Sequence, residues 1–258
     1  MMSTVPFKPC FIVPLYNHGA TLTATLNALS QFNLPILVVD DGSNDETKAI
    51  LAEQVAAHPL CQSLTLAQNL GKGGAVMAGM RHQFKAGFSH ALQIDADGQH
   101  NLADIPAMLA SAELNPCDLI AGVPVYDNSI PKGRLYGRYV THVWVWIETL
   151  SLELKDTMCG FRVYPLAPCC QLLTQQKLGQ RMDFDIEIMV RLYWQGIAFK
   201  QLPTQVIYPK DGISHFRGWA DNVLISKMHT KLFFGMLIRI PKLLAMKWQR
   251  YQQPQGID

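Results

Sequence analysis

Short β-branched or apolar runs alternate with longer stretches of helical period through the first half of the chain. That alternation predicts βα units feeding a mostly parallel sheet. Strands are expected at 8–14, 35–40, 62–67 and 89–95, with helices at 21–32, 45–57 and 73–84 between them. Asn44 or Ser43 is placed to cap the second helix. A helix around 105–114 leads to a further strand at 118–123. From about Pro131 the period is that of a long helix with Val140, Val143, Trp144, Ile147 and Leu150 on one side. A Pro- and Cys-containing stretch then leads to a helix at 184–194 and a strand at 198–207. The tail, 219–251, is helical in pattern but interrupted at Gly235 and Pro241. There is no internal repeat.

The polar residues fall in clusters just after the predicted strands, where an open α/β sheet presents its ligand crevice. Four such clusters stand out: Tyr16-Asn17-His18, Asp40-Asp41-Gly42-Ser43, Asn69 to Gly74, and Asp95-Ala96-Asp97-Gly98-Gln99.

A chain of 258 residues suffices for one large α/β domain, or a catalytic domain with a small appendage. A hydrophobic fraction of 49%, a charged fraction of 16% and a net charge of +2 exclude a disordered chain and an electrostatic nucleic-acid binder. The six cysteines, Cys10, Cys61, Cys117, Cys159, Cys169 and Cys170, form no CxxC pair or zinc spacing and are expected as reduced, mostly buried thiols. The apolar stretch before Pro14 is too short for a secretory signal, so the expected location is the cytoplasm. No segment supplies the roughly 20 uninterrupted apolar residues that span a bilayer.

Each cluster has a chemistry and a plainer alternative. Asp95 and Asp97 follow an apolar strand, where alternate side chains share a face, so two carboxylates converge. Hard oxygens brought together suit Mg²⁺ or Mn²⁺ that also contacts phosphate, with Gln99 and His100 in support; a solvated turn is the alternative. One acid of Asp40-Asp41 can accept from a base N–H or ribose hydroxyls, or the run is an ordinary strand-to-helix turn. Asn69-Leu70-Gly71-Lys72-Gly73-Gly74 opens a helix N-terminus with one lysine, which suits a diphosphate; it is neither a P-loop nor a dinucleotide fingerprint, and a flexible turn would look similar.

In this order, Pro14-Leu15-Tyr16-Asn17, Val39-Asp40-Asp41-Gly42-Ser43, Asn69-x-Gly71-Lys72-Gly73, Asp95-Ala96-Asp97-x-Gln99 and the later Asp156-Thr157-Met158-Cys159-Gly160-Phe161-Arg162 resemble the family 2 glycosyltransferases. The resemblance is to the dolichyl-phosphate-mannose-synthase-like branch and extends from residue 10 to about residue 217. It implies the GT-A fold, a nucleotide-sugar donor and inversion at the anomeric carbon. It also implies that Pro14, Tyr16, Asn17, Asp40 and Asp41 line the nucleoside pocket. Asp95, Asp97 and Gln99 would hold Mg²⁺ or Mn²⁺, with Lys72 assisting the diphosphate.

The same resemblance places an arginine near Arg134 beside the phosphate of a lipid acceptor, and Arg162 in a Gly-Phe-Arg motif. Arg138, four residues on, can face the same anion. Ser214 and His215 fall in the acceptor segment, where His215 stands in place of a usual lysine and His18 in place of a usual acid. A phosphate acceptor is already ionised and needs no strong base. A hydroxyl acceptor would call for one, with Asp183, Asp185 and Glu187 as candidates and Asp156 behind them; the same acids would also stabilise a helix N-terminus.

Residues 1–218 are thus expected as the catalytic domain. Residues 219–258 are expected as a basic, amphipathic tail lying on a membrane surface, or packed on its own domain or a second copy. A nucleotidyltransferase and a non-catalytic nucleotide-sugar-binding adaptor are the competing functions. The first would carry a basic glycine-rich loop where Val13-Pro14-Leu15-Tyr16-Asn17 stands.

Overall fold

The computed structural model describes residues 6–125, 132–206 and 218–252, with 132–135 and 251 described as backbone only. Seven strands form one sheet: β1 (Pro9–Leu15), β2 (Ile36–Asp40), β3 (Cys61–Thr65), β4 (His90–Gln93), β5 (Leu119–Val125), β6 (Arg162–Pro165) and β7 (Phe199–Gln205). The order is β3-β2-β1-β4-β6-β5-β7. β1 to β4 pair in parallel, β5 pairs in parallel with β7, and β6 runs antiparallel to both β4 and β5.

Alternation along the strands sends side chains to two cores. Cys10, Ile12, Leu37, Val39, Ala91, Leu119, Ala121 and Tyr164 enter one. It is covered by α3 (Lys72–Lys85), α6 (Leu166–Gln175), α7 (Phe184–Gln195) and α8 (Gly218–Gln252). Phe11, Val13, Leu15, Ile36, Val38, Leu92 and Val163 enter the other, under α1 (Gly19–Ser30), α2 (Asp45–Ala57) and α4 (Ile105–Leu114). The central strands are buried on both faces, as their unbroken apolar runs require. Asn44 caps α2, its side chain accepting from Thr47 N–H at 2.9 Å. All six cysteines are free and only Cys117 is exposed.

Three expectations change. β4 stops at Gln93 rather than 95, because Pro14 interrupts the ladder: Ile12 accepts from Ile94 N–H at 3.0 Å, so Pro14, two residues on, faces the same neighbour with no N–H to offer. The tail is one helix, not an interrupted one. Pro241 lies inside α8 on its exposed side, and Gly235 serves contact rather than a break, since a Cβ there would come 2.9 Å from the Trp194 ring. The apolar side of α5 (Lys132–Thr149) that the periodicity marked out is largely the outer one: Val140, Val143, Trp144 and Ile147 are exposed, with Tyr136 and Tyr139 beside them. The inward side of α5 is carried by Thr141, Val145 and Glu148. Residues 130–131 and 207 lie outside the described residues.

Candidate active site

Parallel β1, β2, β3 and β4 end at one edge of the sheet, so the clusters that follow them share it. Antiparallel β6 starts where its neighbours finish. Its first residue, Arg162, sits opposite Gln93 in the ladder, which delivers the 156–162 segment to the same edge.

Asp95 and Asp97 occupy the turn after β4, closed by Gly98 at φ +70°, and not a strand face. The hydroxyl of Thr21 in α1 holds this turn by donating to the Ala96 carbonyl, and Asp97 Oδ1 accepts from Gln99 N–H at 3.0 Å. Lys72, the first residue of α3, places its Nζ 2.8 Å from Asp95 Oδ2 and 3.1 Å from Asp185 Oδ2 on α7. His100, stacked on Phe161, lies 3.5 Å from the same oxygen of Asp95. Burial opposes ionisation of Asp95, but the Lys72 ammonium and His100 outweigh it and hold the carboxyl well below its usual range. The two acids beside Lys72 likewise overcome its burial and raise its pKa. Asp97 moves the other way, raised first by burial and then by the charge of Asp95.

A donor set of two turn carboxylates fits a divalent cation that takes its remaining ligands from phosphate and water. Among the described residues no group of three or more His, Cys, Asp or Glu could hold a metal unaided. A cation would also relieve Asp97, whose ionised form burial and the charge of Asp95 disfavour.

The loops on the nucleoside side are tied together. Asn17, at φ +54°, accepts from Asn44 N–H at 2.8 Å through its side chain, and its own N–H donates to Ser43 Oγ. Asp40 is fully buried; Oδ1 accepts from Ser43 N–H at 2.9 Å, while Oδ2 has no hydrogen-bond partner among the described residues. Asp41 spends both oxygens on the next loop, accepting from Leu70 and Gly71 N–H at 2.7 Å each, although burial pushes its pKa up. Pro14 and Tyr16 stand at the end of β1 and just beyond it.

The glycine-rich run is packed rather than open. Gly71 (φ +89°) would place a Cβ 2.7 Å from the Gln180 carbonyl, Gly73 would drive one into Phe184 at 2.3 Å, and Gly74 N–H donates to Gln180 at 2.9 Å. The N–H groups expected to cradle a diphosphate are therefore engaged at Gly71 and Gly74, and these glycines let the 180–184 segment close on α3. What the run contributes to the site is Lys72.

On the acceptor side, Arg138 grips Asp156, and the guanidinium of Arg162 is wholly buried, donating to Tyr164 Oη at 3.1 Å and to the carbonyls of Asp185 and Thr157 at 2.8 Å. Arg162 thus supports the site from beneath. The Arg134 side chain, Ser214 and His215 lie outside the described residues. Of the three acids opening α7, Asp185 faces Lys72. Asp183 accepts from Arg181 N–H, and Glu187 is taken by Arg191, Lys231 and Gly179 N–H. The sequence reading missed Gln93 and Tyr164, which link β4 to Arg162 through a 3.3 Å hydrogen bond. It also missed the role of Gly160, where a Cβ would lie 2.6 Å from both Lys72 Nζ and Gln93 Nε2. A lone glutamine in an apolar strand was the available signal.

Comparison with known proteins agrees with this geometry. The family model described as glycosyl transferase family 2 matches residues 10–179. An undecaprenyl-phosphate mannosyltransferase of Micrococcus luteus is 29% identical over 216 residues, covering 80% of this chain and 86% of that one. A dolichyl-phosphate β-glucosyltransferase of Dictyostelium discoideum is 27% identical over 201 residues, covering 69% of this chain; the match spans 60% of that protein's length. Among solved structures, a mannosyltransferase from Pyrobaculum calidifontis in complex with GDP-Man and Mn²⁺ superposes with a TM-score of 0.56 over 90% of this chain and 64% of that one, at 17% identity, a likeness of fold. With more than half of its length matched and the fold in agreement, the chain belongs to glycosyl transferase family 2, on the branch that resembles dolichyl-phosphate sugar synthases.

Proposed function

We propose that this enzyme moves a sugar, with inversion, from a nucleoside diphosphate sugar to the phosphate of a polyprenyl lipid. The observation that carries the reading is the meeting of Asp95, Asp97, Lys72 and Asp185 at the sheet edge. The names of the relatives, which specify dolichyl phosphate and undecaprenyl phosphate, supply the acceptor class.

Asp95 and Asp97, with Gln99 closing the turn, would hold Mg²⁺ or Mn²⁺, which supplies Lewis acidity to the departing diphosphate. Asp40 Oδ2, buried and unpartnered, suits a base or ribose donor, and Pro14, Tyr16 and Asn17 form the adjoining wall. Asp41 shapes that wall through Leu70 and Gly71. Arg162 fixes the carbonyl of Asp185, so it positions the acid rather than touching substrate. Arg134 and Arg138, with Ser214 and His215, are assigned to the acceptor phosphate, Arg138 sharing its charge with Asp156. A phosphate acceptor attacks as an anion, so none of these groups must remove a proton. Transfer to a hydroxyl is the second reading: Asp185 Oδ1 is buried with no hydrogen-bond partner among the described residues, the Arg162 guanidinium lying 3.7 Å away, and Asp185 is the acid placed to act as base.

Residues 1–218 are proposed as the catalytic unit and 219–258 as the segment that holds it peripherally on the cytoplasmic face of a membrane. No helix among the described residues is long and apolar enough to cross one. Support comes from the outer faces of α5 and α8. Tyr136, Tyr139, Val140, Val143 and Ile147 continue through Trp144 and Phe233 to Phe234, Leu237, Ile238 and Trp248, with Lys227, Lys242 and Lys247 exposed on α8. α8 also buries Met228, Leu232, Met236 and Leu243 against the catalytic core.

A radiolabelled transfer assay pairing a panel of nucleotide sugars with polyprenyl phosphate or polyprenyl alcohol, with and without Mn²⁺, tests the reading. Transfer to the phosphate, lost in Asp97→Asn, is expected. Transfer to alcohols alone would reject the acceptor, and undiminished turnover in Asp97→Asn would reject the metal assignment.

A further inference from the structure

Asp95 is already served by protein donors on both oxygens. Lys72 Nζ takes Oδ2 at 2.8 Å and Gln93 Nε2 donates to Oδ1 at 3.3 Å. The seat is built for the ammonium. Asp185 supports it from α7 at 3.1 Å, and Gly160 leaves the space, since a Cβ there would stand 2.6 Å from Nζ. The base of the lysine is equally fixed, because the N-terminus of α3 is held by Asp41 on Gly71 and by Gln180 on Gly74. The side chains of Lys72, Asp95 and Asp185 are only 19%, 20% and 6% exposed, so water screens the attraction weakly.

We propose that Lys72 is a resident counter-cation of the donor site, seated on Asp95 until a divalent metal displaces it. The inference rests on the reading of Asp95 and Asp97 as metal ligands. A divalent ion and an ammonium cannot share one carboxylate oxygen without strong repulsion, so metal entry requires Nζ to leave Asp95. Asp185 then retains it on one side, and the donor diphosphate receives it on the other. A lysine suits this exchange better than an arginine, being a point charge on a flexible stem rather than a planar fork. Two consequences follow: the donor-free protein binds metal weakly, and metal and nucleoside diphosphate bind cooperatively, because the diphosphate supplies the charge that draws the ammonium away.

Mn²⁺ binding to the folded, donor-free chain, read by electron paramagnetic resonance of the free ion, tests this without reference to turnover. Lys72→Met is expected to bind Mn²⁺ at least about tenfold more tightly than wild type, and Lys72→Arg within about threefold of it, with the Lys72→Met advantage shrinking when UDP or GDP is added. Gly160→Ala keeps every charge and puts a Cβ 2.6 Å from both Lys72 Nζ and Gln93 Nε2 and 3.1 Å from Asp95 Oδ2; the mobile ammonium is the group that yields, so this variant too is expected to tighten Mn²⁺ binding. It serves where Lys72→Met, which leaves Asp95 and Asp185 facing each other, fails to fold. Equal or weaker Mn²⁺ binding in both variants overturns the inference and leaves the metal assignment standing. Absence of Mn²⁺ binding in wild type and variants, with or without nucleotide, overturns both together.

Discussion

Arg138 and Asp156 are joined by a side-on grip, Nη2 lying 3.0 and 2.9 Å from the two carboxylate oxygens and Nε 3.2 Å from the second. The pair ties α5 to the segment that enters β6. Asp156 Oδ1 also accepts from Met158 and Cys159 N–H at 2.8 Å, so one carboxylate shapes the turn leading to Gly160 and Arg162.

Asp156→Asn is therefore expected to destabilise the fold by about 3–5 kcal/mol, the range for breaking a buried pair on one side. Burial resists ionisation of Asp156, yet His142, Arg138 and the backbone donors hold its pKa well below the usual value of 3.8. A depressed folded-state pKa contributes stability that is fully present above the unfolded value and is lost as pH falls through the folded one. Denaturant unfolding from pH 7 down to pH 3 should show the gap between wild type and Asp156→Asn begin to narrow below about pH 4. A gap that stays constant across that range would exclude the ionic contribution.

Asp41 offers a test of scaffold against ligand. With both oxygens on Leu70 and Gly71 N–H, Asp41→Asn keeps one acceptor and loses the charge, which is expected to cost about 1.5–3 kcal/mol. Amide hydrogen exchange at Leu70 and Gly71 should accelerate. Weakened nucleotide binding with exchange unchanged would return Asp41 to direct contact with the nucleoside.

Much of this arrangement was legible because each local rule acts through neighbours in sequence. Apolar runs and intervening helical periods placed β1 to β5, and strand ends drew the polar clusters to one edge. The antiparallel insertion of β6 was not legible, since four residues, Arg162–Pro165, carry no period that distinguishes direction. With it went the pairing of Gln93 with Arg162 and the fit of Gly160 against Lys72, which depend on register across distant segments. The glycines at 71, 73 and 74 misled for a related reason: a close approach by Gln180 and Phe184 calls for the same residues as an approach by phosphate. The outward turn of α5 escaped because periodicity reports that a face is apolar, not what covers it.

The contact between α5 and α8 has its own internal lock. His229 Nδ1 lies 2.8 Å from Glu148 Oε1, deep between the helices, while the Glu148 carbonyl accepts from Trp194 Nε1 at 2.9 Å. Glu148→Leu removes the acid and leaves the ring of His229 without that partner, which is expected to cost about 1–3 kcal/mol. Hydrogen exchange should rise first along α8 and leave β1, β2 and β4 protected. Uniform acceleration through the sheet would mean that α8 unfolds only with the whole domain.

The outer face of α5 separates attachment from stability. Val140 and Ile147 are exposed, so aspartate at both positions removes no core contact, and each change is expected to stay within about 0.5 kcal/mol of wild type. On an anionic vesicle the same changes put two negative charges into a surface that now presents Tyr136, Tyr139, Val143 and Trp144. Co-flotation of Val140→Asp/Ile147→Asp with vesicles containing phosphatidylglycerol should fall at least about tenfold, as apolar burial and charge attraction are both lost. Transfer to a short-chain, water-soluble polyprenyl phosphate should persist, because the Asp95 turn and Lys72 are untouched. Undiminished flotation of the double aspartate variant would remove α5 from the membrane surface and leave attachment to the tail.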